Sequence, residues 1–412
     1  MVREPVRGTA QVRVNGRPVG VLEFGGGGCR FRYTDDLTDP RHAVLGQVFE
    51  ERPRASYQSP VGLPHWFTNL LPEPGSGLRR YYMAQWGDRH LDDARLLLAL
   101  GEDLPGAVTV HPIDVPQSGI LVMPPTAEIE AERMHLSALA GAQPKMSLIR
   151  DGERLTLPAR GESGDVIAKL PERAFDKLCE NEYLMMRWAT VSGLEVPRVE
   201  LVAPGSVPPI FDTIVTPSSP IYMVERFDRG ERGTKIHIED FAQVLNVAPA
   251  LRDATQLPGG REVSYDRIAI VINELTGPSG VIDYVRRLVA MTLMGNTDAH
   301  LKNWSLIYRD GHTPKLSPAY DLVCSTIYKQ LSYSALTFAL GGETMPNLVD
   351  VSCFYRLAEA VGVDPHIVVD AASAMAQTMV EAWPDVRLAD GELFPALVKH
   401  IDDRLARHPL LR

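Results

Sequence analysis

A dense group of polar residues stands between an apolar helical pattern and a strand pattern. In the stretch LMGNTDAHLKNWSLIY, residues 293–308, five charged, imidazole or amide side chains fall within eight positions. A surface loop would carry such residues for solubility, whereas an active site would carry them for chemistry. The five residues are Asn296, Asp298, His300, Lys302 and Asn303.

The spacing of these residues matches a known use in phosphoryl transfer. Protein kinases carry a catalytic Asp that accepts the proton of the substrate hydroxyl, an Asn that binds magnesium five residues later, and a further magnesium-binding Asp after a short hairpin. Asp298 and Asn303 have this spacing, and Asp321 follows at a suitable distance. The Asp–Asn pair alone is common by chance, but the pair followed by a hairpin and a third carboxylate is moderately specific.

The elements around this loop are predicted to bring the three residues together. Before the loop, apolar residues recur at helical spacing, and Gly295 can end that helix. After it, WSLIYRDGHTPKLSPAYDL predicts a strand, a turn at the DG dipeptide and a returning strand that ends at Asp321. Because the hairpin folds back, Asp321 is expected at the same end as the loop. The helical face consists of Ile282, Val285, Val289 and Thr292.

A cation for the phosphates of ATP is predicted on another strand. The run GDVIAKLPE reads as a strand that ends in Lys169, and the helical segment KLCENEYLMMRWATVSG follows it. Glu182 shares one helical stripe with Leu178, Met185 and Ala189. A carboxylate in an apolar stripe is costly unless it is paired, and Lys169 is the natural partner. The alternative is that both charges are solvated, as most charged side chains are.

Two loops have the composition of phosphate-binding loops. The run Gly25–Gly28 lacks a following helix and a Gly-Lys-Ser/Thr signature, so a plain turn between strands is the better interpretation. The dipeptide at Asn15 and Gly16 suits a type I′ hairpin turn. The segment LAGAQPKMSL, residues 139–148, could place backbone N–H groups on phosphates, although a simple hairpin explains it as well.

Composition bounds the class of protein. A chain of 412 residues suggests two or three domains. The net charge of −10 and the pI of about 5.6 argue against the whole chain acting as a sequence-independent nucleic-acid binder, but they leave room for a local basic patch or a basic partner. The scattered cysteines contain no CxxC pair, which favours neither a zinc site nor a disulfide framework and suggests a reducing cytoplasm. The N-terminus has no apolar signal region, and no run of 18 apolar residues predicts a membrane span.

Pro-, Ser- and Gly-rich stretches indicate the organisation of the chain. Residues 111–125 resemble a boundary after a small N-terminal domain, and residues 203–220 read as an inserted loop between strands. Before the boundary, LDDARLLLALGED predicts a helix with acidic residues in its first turn. After Val351, apolar residues at helical spacing predict a mostly helical C-terminus.

Seven segments occur in the order found in HipA-type serine/threonine kinases, the toxin components of bacterial HipA–HipB toxin–antitoxin systems, and the chain resembles that family. The segments are GAQPKMSLI, VIAKLPE, NEYLMMRWATVSGLEVPRVEL, VERFDR, IEDFAQVL, GNTDAHLKNWSLIY and LSPAYDLVCSTIY. WFTNLLPEPGSGLRR and GEDLPGAV also look like the N-terminal subdomain of the family. The resemblance covers nearly the whole chain, and seven ordered motifs are far more specific than any single one.

The resemblance implies an α+β, protein-kinase-like two-lobed fold with a β-rich N-terminal subdomain and a mostly helical C-terminal lobe. The implied boundaries are 1–110 for the N-terminal subdomain, 111–130 for a linker, 131–230 for the nucleotide-binding part and 231–412 for the catalytic loop and helical lobe. ATP and Mg²⁺ are the implied cofactors, and the cytoplasm is the implied location.

The resemblance also assigns roles position by position. Asp298 is the implied catalytic base, and Asn303 and Asp321 are the implied metal ligands. The backbone at Glu225 and Phe227 would meet adenine in a hinge that includes Arg226, and Lys169 would hold phosphate. The remaining implied ATP-binding residues are Ala140, Gly141, Ala142, Gln143, Pro144 and Lys145 in a phosphate-binding loop, and His300, Leu301, Lys302 and Tyr320 beside the nucleotide and metal.

One position departs from the family pattern. Many family members carry an autophosphorylated serine two residues before the AG of the phosphate-binding loop, and here that position is Ala138. Ser137 stands next to it, and Ser147 lies further along. Ser137 is therefore the candidate autophosphorylation site, and the regulatory mechanism stays open.

Three functions compete on these grounds. The first is a kinase toxin that arrests growth by phosphorylating a translation component, with an aminoacyl-tRNA synthetase as the family-level expectation. The second is a weakly active ATP-binding co-repressor that works with a HipB-like DNA-binding antitoxin and meets DNA only through it. The third is a small-molecule kinase, which the N-terminal motifs argue against. The presence of Asp298, Asn303, Asp321 and Lys169 favours the first.

Overall fold

The computed structural model describes most of the chain. The described residues are 5–34, 42–51, 56–74, 79, 83, 91–116, 143, 145–152, 154–156, 163–172, 174–207 and 219–412. They form two compact units that interleave along the sequence. The first unit contains Met1–Ala174, Val202–Pro249 and Ile307–Thr313, and the second contains Phe175–Leu201, Ala250–Leu306 and Pro314–Arg412.

The first unit begins with an antiparallel sheet. Its strands, in spatial order, are Tyr57–Ser59, Gly28–Tyr33, Arg17–Gly25, Gly8–Val14 and Val108–Pro112. Asn15 and Gly16 join two strands with φ of 50° and 76°, so the predicted type I′ turn is confirmed. Gly26 and Gly27 have φ of 62° and 86° between the paired ends Gly25 and Gly28. The glycine run is therefore the plain turn that the sequence predicts.

Aromatic side chains pack between this sheet and two short helices, Gln47–Glu50 and His65–Thr68. The ring of Phe31 lies 4.9 Å from that of Phe49 and 5.1 Å from that of Phe67, and Trp66 lies 5.4 Å from Phe49, as measured between ring centroids. Such tilted ring pairs add to the burial of their large apolar areas. The predicted helix after residue 91 forms with Asp92 as its N-cap, which accepts from the backbone N–H of Arg95. That helix spans Asp93–Ala99.

A second antiparallel sheet carries the predicted nucleotide-binding segments. Four of its strands, in spatial order, are Arg154–Thr156, Lys145–Asp151, Val166–Lys169 and Ile221–Glu225. Leu148, Val166, Ala168 and Met223 pack in its core. The strand that was predicted to end at Lys169 does end there. The strand Val199–Val202 leads into the first unit, and His237–Asp240 with the helix Phe241–Val244 follows the second sheet along the chain.

The second unit is mostly helical. Its helices are Leu178–Val191, Tyr265–Met294, Val351–Val361, Pro365–Asp390 and Pro395–Leu405, with a small hairpin of Gln256–Leu257 and Arg261–Glu262. The predicted helical C-terminus is thereby confirmed. Trp188 anchors two of the helices because its indole N–H donates to the carbonyl of Met379 at 2.9 Å and its ring lies 4.7 Å from that of Trp383. Across the described ranges, no helix combines the length and the apolar composition needed to cross a membrane.

The helix Tyr265–Met294 delivers the chain to the polar loop. Ser264 caps its start, and Gly295 ends it with φ of 72°, as the sequence predicts. The predicted apolar face points inward, since Val285, Val289 and Thr292 are buried and Ile282 is partly buried. The helix bends in its middle, where Gly277 adopts φ of 73° before Pro278.

The hairpin after the loop is shorter than predicted. Its first strand, Ser305–Tyr308, forms as expected, but the returning strand is only Lys315–Leu316 and does not reach Asp321. The last ladder bond runs from the N–H of Ser317 to the carbonyl of Ser305 at 2.9 Å. Pro318 follows, and because proline has no N–H it cannot continue the ladder. The approach to Asp321 is therefore irregular backbone, and the prediction of a strand up to Asp321 was wrong.

Candidate functional site

The loop that carries Asp298 is held by its own polar groups. The side-chain oxygen of Asn296 accepts from the N–H of Asp298 at 3.0 Å, and the carbonyl of Asp298 accepts from the N–H of His300 at 2.9 Å. Leu301 is buried and anchors the next turn, since its N–H donates to the carbonyl of Arg252 at 3.0 Å. The backbone on both sides of Asp298 is thereby fixed, while the residue itself stays exposed.

The predicted metal ligands lie together in the second unit. The side-chain amide of Asn303 donates to the carboxylate of Asp321 at 3.1 Å, and its oxygen accepts from the N–H of His300 at 3.1 Å. Asp321 has φ of 55°, a left-handed conformation that non-glycine residues rarely adopt and that Asp tolerates better than most. Asn296 holds that backbone by donating to the carbonyl of Asp321 at 3.4 Å. A strained conformation held by neighbours is typical of a functional position.

Tyr320 ties the segment before Asp321 to the loop. Its hydroxyl donates to the carbonyl of Lys302 at 2.8 Å and lies 2.6 Å from the hydroxyl of Ser305. All the residues that were predicted on this side of the site therefore belong to one connected group in the second unit. The group consists of Asp298, His300, Leu301, Lys302, Asn303, Tyr320 and Asp321.

The surroundings of Asp298 and His300 shift the pKa values of both side chains. Loss of water around the carboxyl raises the pKa of Asp298, the nearby carboxylates of Asp321 and Asp253 raise it further, and Arg252 opposes them. Because the residue is exposed, the rise is smaller than that of a fully enclosed carboxyl. Burial lowers the pKa of His300 to about 4, so its imidazole is neutral at physiological pH. A carboxylate in its ionised form can accept a proton, so these charges are compatible with the predicted role of Asp298 as a base.

Three residues of this region were missed by the sequence interpretation. Asn296 was noted for its polarity but given no role, although it braces both Asp298 and Asp321. Arg252 lies far from the loop in sequence and acts on it through its carbonyl and its charge. Arg287 is buried on the helix Tyr265–Met294 and lines a cavity together with Asn303 and Asp321. A charged residue on the buried side of an apolar helix was the available signal for Arg287.

In the first unit, Lys169 lies at the end of a strand that has a neighbouring strand on each side. It pairs in register with Lys145 on one side and Tyr222 on the other, and its ammonium lies 5.6 Å from the centroid of the Tyr222 ring. Directly paired residues of antiparallel strands project to the same face, so Lys145 and Lys169 present their charges together. Two neighbouring positive charges repel each other unless an anion lies nearby. This arrangement is therefore suited to binding phosphate. The side-chain amide of Gln143 donates to the carbonyl of Leu170 at 2.8 Å.

The outcome for the other predicted residues is mixed. Lys169 and Glu182 are both buried, with 7% and 4% of their surface exposed, so the interpretation of both as solvated charges was wrong. Their pairing stays a prediction. Ala140, Gly141, Ala142 and Pro144 lie outside the described residues, as does Ser137.

The predicted hinge carries a buried ionic cluster. Arg226 forms a bidentate salt bridge with Asp228, in which Nε donates to Oδ1 at 3.0 Å and Nη2 donates to Oδ2 at 2.8 Å. Burial alone would raise the pKa of Asp228, but Arg226 and Arg229 outweigh it and lower the pKa to about 2. The backbone N–H of Arg226 donates to the carbonyl of Asp165 at 2.8 Å. The backbone of Arg226, between Glu225 and Phe227, is thus fixed to Asp165, and its side chain is fixed to Asp228.

Family models match both parts of the chain. The model of the HipA N-terminal domain matches residues 10–111, and that of the HipA-like C-terminal domain matches residues 137–383. The two matched ranges place the hinge and the loop of Asp298 in the second of these domains.

Individual relatives support the same grouping. Y4dM of Sinorhizobium fredii, named as a kinase, is 40% identical over 273 residues, which are 65% of this chain and 63% of that protein, so the chain spans less than two thirds of it. Y4mE of the same organism, also named as a kinase, is 30% identical over 83% of both chains. The serine/threonine-protein kinase toxin HipA of Shewanella oneidensis is 26% identical over 78% of this chain and 77% of its own.

A solved structure matches the fold. HipA of Shewanella oneidensis, solved in a complex with HipB and operator DNA, superimposes with a TM-score of 0.72 at 21% identity over 97% of this chain and 96% of that chain. This likeness confirms the predicted α+β, kinase-like fold.

Proposed function

The chain belongs to the HipA family, and on that premise we propose that it is a serine/threonine protein kinase that uses ATP and Mg²⁺. The observation that carries the proposal is the contact of 3.1 Å between Asn303 and Asp321, in a group where Asp298 precedes Asn303 by five positions. These are the amide and carboxylate that kinases use for magnesium and the base that they use for the hydroxyl.

The donor atoms fit the proposed ion. Mg²⁺ prefers oxygen ligands and is usually bound in proteins by one or two carboxylates together with substrate phosphates. Asn303 and Asp321 would hold it with their side-chain oxygens. The two side chains are neighbours, since the amide nitrogen of Asn303 lies 3.1 Å from the carboxylate of Asp321. A bound magnesium ion would neutralise negative charge on the phosphates.

Asp298 would act on the protein substrate. Its carboxylate accepts the proton of a serine or threonine hydroxyl while the hydroxyl oxygen forms a bond to the γ-phosphorus of ATP. The bond from that phosphorus to the leaving oxygen breaks, and ADP departs. Lys169 and the loop of residues 140–145 would hold the phosphates, and the backbone at Glu225 and Phe227 would meet the adenine.

We further propose that the kinase is a cytoplasmic toxin. The HipA relative from Shewanella oneidensis is named as a kinase toxin, and the family resemblance implies a translation component as target, with an aminoacyl-tRNA synthetase as the first expectation. A HipB-like antitoxin is the proposed partner, because HipA of that organism was solved with HipB and operator DNA. The net charge of −10 suits a subunit that leaves DNA contact to its partner.

A weakly active co-repressor is the competing function, and one experiment separates the two. Purified protein is incubated with γ-labelled ATP and a cell extract, beside an Asp298→Asn sample. A labelled band that is lost in the variant supports the kinase and reveals its substrate. If the wild type binds ATP but labels nothing, the co-repressor function is favoured instead.

A further inference from the structure

Two arginines, one in the predicted hinge and one beside it, have almost fully buried side chains. The side chains of Arg226 and Arg229 are 9% and 3% exposed. Both contact the buried carboxylate of Asp228, and the distance from Arg229 Nη1 to Asp228 Oδ2 is 2.8 Å. Two guanidinium groups share one carboxylate in this contact, so one positive charge needs another counter-charge. Buried charge that is not compensated is strongly destabilising.

Asp103 supplies the second carboxylate. Its Oδ1 accepts from Arg226 Nη1 at 3.3 Å, from Arg229 Nη2 at 3.2 Å and from the hydroxyl of Ser163 at 2.8 Å. The Ser163 hydroxyl in turn accepts from Arg229 Nε at 2.7 Å. One carboxylate oxygen thus contacts both arginines and the segment that precedes the strand Val166–Lys169.

This carboxylate comes from a distant part of the chain. Asp103 follows the helix Asp93–Ala99, within the range matched by the HipA N-terminal domain, and lies 123 residues before Arg226. The same loop offers a second contact, because the N–H of Gly106 donates to Asp228 at 2.8 Å. The N-terminal domain therefore neutralises and orients side chains that belong to the predicted hinge.

Arg226 links this cluster to the backbone that is proposed to bind adenine. It stands between Glu225 and Phe227, whose backbone groups are proposed to meet adenine, and its own N–H is fixed on Asp165 at 2.8 Å. A guanidinium clamped by two carboxylates restricts the backbone of the residue that bears it. If the contact with one of the two carboxylates is lost, the neighbouring backbone groups can leave the orientation that adenine binding requires.

We propose that Asp103 is a positioning residue for nucleotide binding, through which the N-terminal domain fixes the hinge at Arg226. The inference rests on the proposed function, since it takes Glu225 and Phe227 as the adenine-binding backbone. Because coupling between sites is reciprocal, ATP binding also stabilises the contact of the N-terminal domain with the hinge.

The test compares Asp103→Asn with Glu102→Gln in the full-length protein. Both variants remove one negative charge from adjacent positions, but the Glu102 side chain is 55% exposed and faces His111 at 4.0 Å. We expect Asp103→Asn to raise the Kd and KM for ATP by about three- to tenfold and to leave kcat at saturating ATP within about twofold of wild type. Glu102→Gln should match wild type in all three. A merely structural role would lower the amount of active protein and hence the apparent kcat, without the selective change in KM.

Two further variants keep the test decisive if Asp103→Asn folds poorly. Ser163→Ala removes only one hydroxyl that holds Asp103 and should shift the Kd for ATP in the same direction by a smaller factor. Arg226→Lys combined with Ser163→Ala should show effects that do not add, since both act through one cluster. Unchanged ATP affinity in Asp103→Asn and Ser163→Ala, or a fall of kcat without a change in KM, would overturn the inference while leaving the kinase proposal intact. Wild-type protein that binds no ATP would overturn both.

Discussion

The side-chain amide of Asn303 donates a hydrogen bond to the carboxylate of Asp321 at 3.1 Å, across 18 positions of sequence that contain a complete hairpin. Asp321 reaches this contact in a left-handed backbone conformation, with φ of 55°. The pair brings amide and carboxylate groups together beside a loop that ends in a buried anchor, Leu301. If the pair binds the proposed magnesium ion, this pre-formed arrangement spares the cost of assembling the ion site during each catalytic cycle.

Replacement of Asp321 by Ala should weaken ATP binding in a magnesium-dependent way. Removal of a charged group that contributes to binding costs about 1–3 kcal/mol of binding free energy. Without magnesium, the variant and the wild type should bind ATP equally well. Titration calorimetry with and without Mg²⁺ measures both. Asp283→Asn, an exposed change on the helix Tyr265–Met294, is the control. An unchanged magnesium dependence in Asp321→Ala would remove this residue from the metal site.

Lys169→Ala should raise the Kd for ATP, because the variant removes a buried ammonium that shares a strand face with Lys145. We expect a loss of about tenfold or more, in line with a charge-assisted contact to phosphate. Adenosine, which has no phosphate, serves as the control ligand and should bind both proteins equally. Equal losses for ATP and adenosine would mean that Lys169 supports the fold of the sheet rather than the phosphates.

Ser137 should become phosphorylated when the protein is incubated with Mg-ATP. Phosphate on the proposed phosphate-binding loop adds about two negative charges where ATP brings its own, so Ser137→Asp should lower ATP affinity. Ser147 is already engaged, because its hydroxyl accepts from Arg226 Nη1 at 3.2 Å, and it should stay unmodified. Mass spectrometry of residues 131–150 decides. A phosphate on Ser147, or none in this range, would point to regulation by the partner or by another route.

His408 should make the protein less stable in acid. Burial lowers its pKa to about 4, and Arg404 adds to the effect against the contact of 2.9 Å with the carbonyl of Pro346. The neutral form is favoured in the folded state, so the stability that it contributes is present above pH 6.5 and is lost as the pH falls towards 4. The loss should approach roughly 3 kcal/mol.

Comparison of two unfolding series isolates this contribution. Urea unfolding of wild type and His408→Gln between pH 7 and pH 4 should show a steeper fall in the free energy of unfolding for wild type. All other groups titrate alike in both proteins. Parallel curves would show that His408 does not determine the acid sensitivity.

Much of the fold was accessible from the sequence because its signals are local. Gly295 ends the long helix, the dipeptide at Asn15 and Gly16 forms its turn, and the strand ends at Lys169, each through preferences of a few neighbouring residues. The returning strand was predicted too long because the prediction extended it past Pro318, whose missing N–H stops the ladder.

The candidate site was accessible only in part, for a physical reason. The spacing of Asp298 and Asn303 is local, and Asp321 follows after one hairpin, so these three could be proposed from the sequence. Asp103 and Arg252 act through contacts between segments that are distant along the chain, and no local pattern reports such contacts. The sequence also did not reveal that the two arginines at the hinge are buried, because arginine is usually exposed.

If Asp298 is the base of a phosphoryl-transfer site, the Asp298→Asn variant should lose phosphate transfer and keep ATP binding, and both are measured on the same protein. The substitution keeps the size of the side chain and removes its capacity to accept a proton. We predict that transfer of labelled phosphate to the protein substrate falls by about 10²-fold or more, while the Kd for Mg-ATP stays within about twofold of wild type. Phosphate transfer by the variant at a rate near that of wild type would contradict the assignment.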